Sequence, residues 1–214
     1  MTWRAAGAKL SADVKLFSLL GITVGILLAT AAARAQETAS AIDPAKAVAA
    51  ARGQIGVTTG YDPEYRVLPY PGGDVPPNTG VCTDVVIRAL RLQGLDLQRA
   101  VHEDMAAHFS AYPHQWGLKS TDKNIDHRRV PNLMTFFQRR GWGRPVTGEP
   151  ADYLPGDIVT WSLPGNLPHI GLVSDAKDAL GCPLVIHNIG RGTQEERTLF
   201  TYKITGHYRP GKAN

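Results

Sequence analysis

The sequence has little cysteine, with only two in 214 residues, Cys82 and Cys182. Two cysteines make a poor framework for a disulfide-rich protein. A single bridge between them is an open alternative, and it would exclude chemistry by a free thiol. We expect free thiols, because Cys82 opens a predicted helix whereas Cys182 lies in the turn signal Gly181-Cys182-Pro183.

Long runs of lysine and arginine, internal repeats and low-complexity tracts are also missing. The net charge of +4 comes mainly from the first 35 residues, which hold four basic side chains and one acid, so the remainder carries about +1. This charge gives no reason to expect nucleic acid as a partner. The remaining residues, about 180, suffice for one domain with a sizeable core.

Residues 1–35 have the pattern of a secretory signal peptide. Basic residues precede the apolar stretch from Phe17 to Ala33, and Ala33-Arg34-Ala35 supplies a small-x-small cleavage pattern before Gln36. An uncleaved anchor is the alternative, since about 17 apolar residues lie at the short limit for crossing a bilayer. Either interpretation predicts a periplasmic or secreted protein. After cleavage we expect no stable membrane association, because no later segment is apolar enough to span.

The exported part is predicted to divide into a linker at 36–44, one domain at 45–210 and a tail at 211–214. Residues 56–80 are rich in glycine and proline and predict a long loop, a candidate substrate rim just before Cys82. Caps and apolar periodicity predict four helices, at 43–54, 83–93, 96–113 and within 128–141.

The pattern changes from helical to extended after Pro155-Gly156. Segments rich in β-branched residues are separated by Gly/Pro turns, which is typical of an antiparallel sheet. The predicted strands are 157–161, 169–174, 184–189 and one or two more within 198–208. Helices followed by a sheet predict an α+β fold, with N-terminal helices packed on a C-terminal antiparallel sheet.

Cys82 and two histidines form the pattern that indicates chemistry. A thiol at a helix N-terminus has its thiolate stabilised by the helix dipole, which lowers its pKa. His169 and His187 fall on one face of two adjacent predicted strands, so one can act as general base and the other can orient it. Asn188 points to the opposite face and ranks second as the orienting residue.

These residues resemble the NlpC/P60 cysteine peptidase superfamily, papain-like hydrolases that cut peptides of bacterial cell walls. The resemblance rests on a cysteine at a helix start followed by His-Ile-Gly-Leu-Val and Val-Ile-His-Asn. A closer resemblance, over roughly residues 45 to 210, is to the bacterial family called domain of unknown function 1287. The segments that carry it are 80–85, 124–132, 169–171 and 187–190.

The resemblance implies that Cys82 is the nucleophile, His169 the base and His187 the third polar residue. It also implies that Tyr70 lies near the oxyanion and the substrate backbone. Because the superfamily usually has Asp-Cys-Ser-Gly, Asp84 is a departure that would oppose the thiolate. The complete set of predicted substrate-binding residues is Tyr70, Asn188, Arg128 and Arg129, the two arginines as clamps for a stem-peptide carboxylate.

The sequence thus predicts an exported cysteine hydrolase that cleaves an amide bond in peptidoglycan stem peptides. A cell-wall-binding module without catalysis and a thiol acyltransferase are the alternatives, and the type of bond stays open. We expect a peptide or peptidoglycan partner, a monomer, and no cofactor or metal. His102 and His108 could suggest a metal site, but their spacing does not match a helical ligand pair.

Overall fold

The structure, a computed structural model, describes residues 1–2 and 41–211. The predicted signal peptide, apart from its first two residues, and most of the predicted linker lie outside the described residues. Of the two units into which the chain divides, the second, Ser40–Asn214, contains every element described below. Within the described ranges, no helix has the length and apolar character needed to cross a membrane.

The helices begin at the caps that the sequence provides. The Asp43 carboxylate accepts the backbone N–H groups of Ala45 and Lys46, and the Asp96 carboxylate accepts that of Gln98. The bounds are α1 Pro44–Arg52, α2 Cys82–Arg91, α3 Leu97–Ala107 and α4 Val130–Arg139.

Six antiparallel strands form one sheet in the order β1-β6-β2-β3-β4-β5. The central position of β3 places it between β2 and β4, so its side chains meet those of both neighbours. The bounds are β1 Gly143–Arg144, β2 Ile158–Leu163, β3 Leu167–Lys177, β4 Pro183–Asn188, β5 Thr193–Glu196 and β6 Lys203–Tyr208.

The two faces of the sheet bury different clusters. Ile170, Leu172 and Ile186 belong to the main core, which they share with the helices and with Cys82. Trp161 and several valines belong to a smaller cluster that covers the opposite face. The α+β class predicted from the sequence is confirmed, with helices packed on one face of an antiparallel sheet.

The strand β5 is absent from the sequence-based prediction. Its residues Thr193–Glu196 are polar and lack the apolar alternation that marks a half-buried strand. These residues pair with β4 in a hairpin. Asn188 lies opposite Thr193, and Gly190 and Gly192 in the connecting loop have positive φ. The pairing is therefore determined by the turn and not by side-chain pattern.

Gly171 lies where β3 and β4 approach closely. A Cβ atom added there would lie 2.7 Å from Val185 Cγ1 and 3.0 Å from His187 Cβ. The space that the missing Cβ leaves is filled by β4.

We predict that Gly171→Ala destabilises the domain by about 1–3 kcal/mol, because the methyl group would force two packed strands apart. Urea unfolding at pH 7 measures the change. Gly148→Ala is the matched control, since a Cβ at Gly148 meets nothing within 4 Å. Equal unfolding midpoints for the two variants would show that β4 can move away without cost.

Candidate active site

Cys82 begins α2 with its sulfur directed toward β3. The first turn is capped by Asp84, whose carboxylate accepts the backbone N–H of Val81 at 2.7 Å. The Cys82 side chain belongs to the main core, together with Ile170 of β3. Cys82 and Cys182 are both free, so the alternative of a disulfide between them is excluded.

Arg128 is buried against Asp84. Its Nε donates to Oδ1 at 3.1 Å and its Nη2 donates to Oδ2 at 3.0 Å, with side chains only 1% and 4% exposed. Arg128 also donates to the carbonyls of Asp62 and Glu64. Arg128 lines the cleft at Cys82, and its guanidinium binds the protein's own carboxylate and these carbonyls, so its role as a clamp for a substrate carboxylate stays a prediction.

A cleft of about 190 Å³ opens at Cys82. Tyr61, Arg129 and Pro168 also line it, and Pro168 immediately precedes His169. The cleft therefore connects the helix that carries the thiol with the strand that carries the predicted base. Three larger hollows among the described residues, of about 320, 450 and 510 Å³, have neither Cys82 nor a histidine in their lining.

His169 and His187 meet, as their shared strand face predicted, and this is the face of Trp161 and Val173, opposite the face that packs on Cys82. Nε2 of His169 lies 2.8 Å from Nδ1 of His187, and the ring centroids are 5.1 Å apart at 73°. Continuing the register from Leu172 opposite Ile186 puts His187 opposite Gly171 and diagonal to His169. Both side chains are buried, at 3% and 1% residue exposure.

Glu196 extends this hydrogen-bonded row. Its Oε2 lies 3.1 Å from Nε2 of His187, and its Oε1 accepts a hydrogen bond from Arg191 at 2.9 Å. Sequence reasoning missed Glu196 because it missed β5. A hairpin register drawn from Asn188 across the glycine-containing loop would have placed Glu196 diagonal to His187.

The tyrosine beside the thiol is Tyr61 and not Tyr70. Tyr61 and Cys82 line the same cleft. Tyr70 packs edge-on against His102 and under the Lys123 ammonium group, and it is not among the residues that line the cleft. The position of Tyr70 in the sequence did not predict its distance from the thiol, because residues 56–80 form an irregular loop.

Asn188 connects two loops below the cleft. Its Nδ2 donates to the carbonyls of Gly60 at 3.0 Å and Gly80 at 3.3 Å, and its Oδ1 accepts the Gly190 N–H. With its side-chain groups bound to backbone and no exposed surface, Asn188 is not available to a substrate. The predicted substrate-binding role is therefore replaced by a structural one. Arg129 does line the cleft, and its contact with a substrate carboxylate stays a prediction.

Comparisons with known proteins give the family. The model of the family described as "Domain of unknown function (DUF1287)" matches residues 48–210. The chain belongs to this family. It is 60% identical over 159 residues to the "Uncharacterized protein YijF" of Escherichia coli (strain K12), covering 74% of this chain and 78% of that protein.

A solved structure similar to this DUF1287 domain is that of NlpC1 from Trichomonas vaginalis. The TM-score is 0.44 at 14% identity, and the match covers 82% of this chain. The chain spans about half of that protein, 47% of its length.

Burial determines the protonation states in the DUF1287 site. It raises the pKa of the Cys82 thiol to about 12, and Asp84 adds to the rise, while the N–H groups of Ile170 and Thr83 oppose it. The expectation of a thiol with a lowered pKa is therefore wrong. Burial also lowers the pKa of His169 to about 3, so at neutral pH both groups are uncharged.

We predict that acid destabilises the DUF1287 domain through His169. Its pKa in the folded state lies below the ordinary value of about 6.5, so the unfolded chain binds the proton more readily at pH values between them. The contribution of neutral, buried His169 to the free energy of unfolding is complete above about pH 6.5 and is lost as the pH falls. Between pH 7 and pH 5 the free energy of unfolding should fall by about 1–2 kcal/mol more in the wild type than in His169→Gln, because glutamine does not titrate.

Urea unfolding at the two pH values measures this difference. If the free energy of unfolding falls equally in the wild type and in His169→Gln, the pKa of His169 is not lowered in the folded state.

Proposed function

We propose that this DUF1287 domain is a cysteine hydrolase that cleaves an amide bond, with Cys82 as nucleophile, His169 as general base and His187 as the residue that orients the base. One observation carries the proposal. Cys82 lines a cleft together with Pro168, the residue before His169, and the His169 ring is hydrogen-bonded to a second histidine. A nucleophilic thiol needs a nearby base and a third group that orients it.

The proposed reaction begins with transfer of the Cys82 proton to His169, the base that the family resemblance implies. The sulfur attacks the carbonyl carbon, and the carbonyl oxygen takes the negative charge. When the C–N bond breaks, the leaving amine takes the proton from His169. Water then attacks the thioester and gives one proton to His169, the C–S bond breaks, and the proton returns to Cys82.

Tyr61 and the backbone N–H of Cys82 are the proposed donors to the developing oxyanion. Burial, followed by the charges of Cys82 and Asp84, raises the pKa of Tyr61 to about 12. The phenol therefore keeps its proton at neutral pH and can donate it in a hydrogen bond.

Peptidoglycan stem peptides are the proposed substrates. The predicted signal peptide supports this choice, since it would bring the domain to the periplasm or outside the cell. Arg129 at the cleft supports a substrate with a carboxylate, because guanidinium groups bind carboxylates with two parallel hydrogen bonds.

A cell-wall-binding module without catalysis is a second candidate, and the state of the thiol favours it. Cys82 is only 5% exposed and its pKa is raised, so the resting sulfur is protonated. Catalysis then requires the thiol proton to pass to His169 only when a substrate is bound, whereas a binding module requires no proton transfer.

We predict that the purified protein releases soluble fragments from peptidoglycan sacculi and that Cys82→Ala releases at least about 10³-fold less, since removing a nucleophile abolishes the covalent route. Mass spectrometry of the fragments measures the release and identifies the bond. Cys182→Ala is the matched control and should behave like the wild type. Sacculus binding without fragments from any of the three proteins would favour the binding module.

We further predict that Tyr61→Phe lowers the rate of fragment release by about 10- to 10³-fold, because loss of one oxyanion donor costs up to about 4 kcal/mol. Tyr70→Phe removes the same atom from a tyrosine outside the cleft and should leave the rate unchanged. Initial rates of fragment release compare the two variants. A loss confined to Tyr70→Phe would restore the assignment made from the sequence.

A further inference from the structure

Tyr65 is an exposed aromatic residue whose ring is held in place. The residue is 56% exposed. Its hydroxyl donates to Asp122 Oδ2 at 3.0 Å and accepts a hydrogen bond from Asn124 Nδ2 at 2.9 Å. Tyr65 belongs to neither apolar cluster of the described residues. Two hydrogen bonds therefore fix the tip of an aromatic side chain that adds nothing to either core.

The backbone on both sides of Tyr65 is held as well. The carbonyl of Glu64 accepts a hydrogen bond from Arg128 at 3.3 Å, and the N–H of Leu68 donates to Asn124 Oδ1 at 2.9 Å. Because the chain and the ring tip are both fixed, a ligand that packs on the ring orders few further torsions of the protein. Tyrosine in such a setting supplies a large contact area at a low cost in entropy.

Tyr65 is next to the cleft at Cys82. Pro63 and Ile125 line this cleft. Tyr65 follows Pro63 by two residues, and Asn124, which binds the Tyr65 hydroxyl, directly precedes Ile125. The cleft volume of about 190 Å³ is smaller than the roughly 300–1,000 Å³ of pockets that enclose drug-sized ligands. A polymer whose reacting bond enters the cleft must therefore lie mostly outside it, on neighbouring surface.

Carboxylates accompany the Tyr65 ring. Asp122 binds its hydroxyl, and the side chain of Glu64, the preceding residue, is 78% exposed. Carboxylates accept hydrogen bonds from hydroxyl groups and repel other carboxylates. This surface therefore favours a neutral ligand rich in hydroxyl groups over an acidic peptide.

The two basic residues closest in sequence to these carboxylates have other contacts. Arg66 pairs with Asp62 at 2.6 Å and lies 3.8 Å from Glu64. Lys123 lies over the ring of Tyr70, with its Nζ 5.5 Å from the ring centroid. Neither base converts the surface at Tyr65 into a site for anions.

We propose that Tyr65 binds a sugar ring of the glycan strand to which the stem peptides are attached. The carbon face of the sugar packs on the tyrosine ring, and sugar hydroxyl groups donate to the neighbouring carboxylates. The inference rests on the proposed function, because it takes peptidoglycan as the substrate. It adds a saccharide subsite outside the cleft that takes the peptide.

The test measures the binding of two soluble probes to the full chain by titration calorimetry. The probes are the tetrasaccharide of N-acetylglucosamine and a free stem tetrapeptide. We expect the wild type to bind the tetrasaccharide and Tyr65→Ala to raise its Kd about 10-fold or more, as when an aromatic anchor is truncated. Phe200→Ala is the matched control and should keep the wild-type Kd, since Phe200 is also exposed, at 40%, but does not line the cleft.

Tyr65→Phe supplies a conservative variant in case Tyr65→Ala folds poorly. It keeps the ring and loses both hydrogen bonds that fix it, so its Kd for the tetrasaccharide should lie between those of the wild type and Tyr65→Ala. Proton NMR of the tetrasaccharide gives an independent readout. Sugar protons over an aromatic ring shift upfield, and this shift should be present with the wild type and absent with Tyr65→Ala. A role of Tyr65 in stability alone would change the unfolding midpoint and leave the shift in place.

Equal tetrasaccharide Kd values for the wild type and Tyr65→Ala would overturn the inference, and so would a wild type that does not bind the tetrasaccharide. A loss in Tyr65→Ala of binding to the tetrapeptide alone would assign the ring to the peptide and would also overturn it.

Failure of the proposed function has a different signature. If sacculi yield no fragments while the tetrasaccharide binds through Tyr65, the saccharide subsite stands and hydrolysis of peptidoglycan does not. If the wild type and Tyr65→Ala release fragments equally and neither binds the tetrasaccharide, the function stands and the subsite does not.

Discussion

The buried ion pair of Asp84 and Arg128 is the contact on which the rest of the site depends. Moving two charges out of water costs several kcal/mol for each unless the charges are paired and hydrogen-bonded. Here Asp84 also caps α2 at Val81, and Arg128 also binds the carbonyls of Asp62 and Glu64. One pair of side chains thus joins the helix that presents the thiol to the loop that presents a tyrosine.

The sequence was most informative where a pattern is repeated along the chain. The apolar face of α2 and the β-branched runs of β3 and β4 have clear periodicity, so these elements and the meeting of His169 with His187 could be predicted. β5 has no such pattern, and Glu196 was missed with it. The family resemblance favoured Tyr70, and the residues themselves could not point to Tyr61, because an irregular loop has no period from which the direction of a side chain follows.

The helix N-terminus lowers the pKa of Cys82 and burial raises it. The effect of burial is the larger, and the sequence shows only the effect of the helix. A helix N-terminus stabilises a negative charge by about 0.3–1 kcal/mol at an exposed position. Full burial shifts pKa values by up to about 3–5 units, and one unit corresponds to about 1.4 kcal/mol. Burial is decided by long-range packing, so the sequence could predict the helix start at Cys82 and not the burial of the thiol.

Asn188 has a mechanical consequence for the cleft. By binding the carbonyls of Gly60 and Gly80 at once, it clamps together the residues before Tyr61 and those before Cys82. The segment between the two clamped points can vary in length or shape while the spacing of phenol and thiol is preserved. A ligand that pushes the tyrosine aside must also strain the helix start, so the cleft resists widening at the point where the thiol lies.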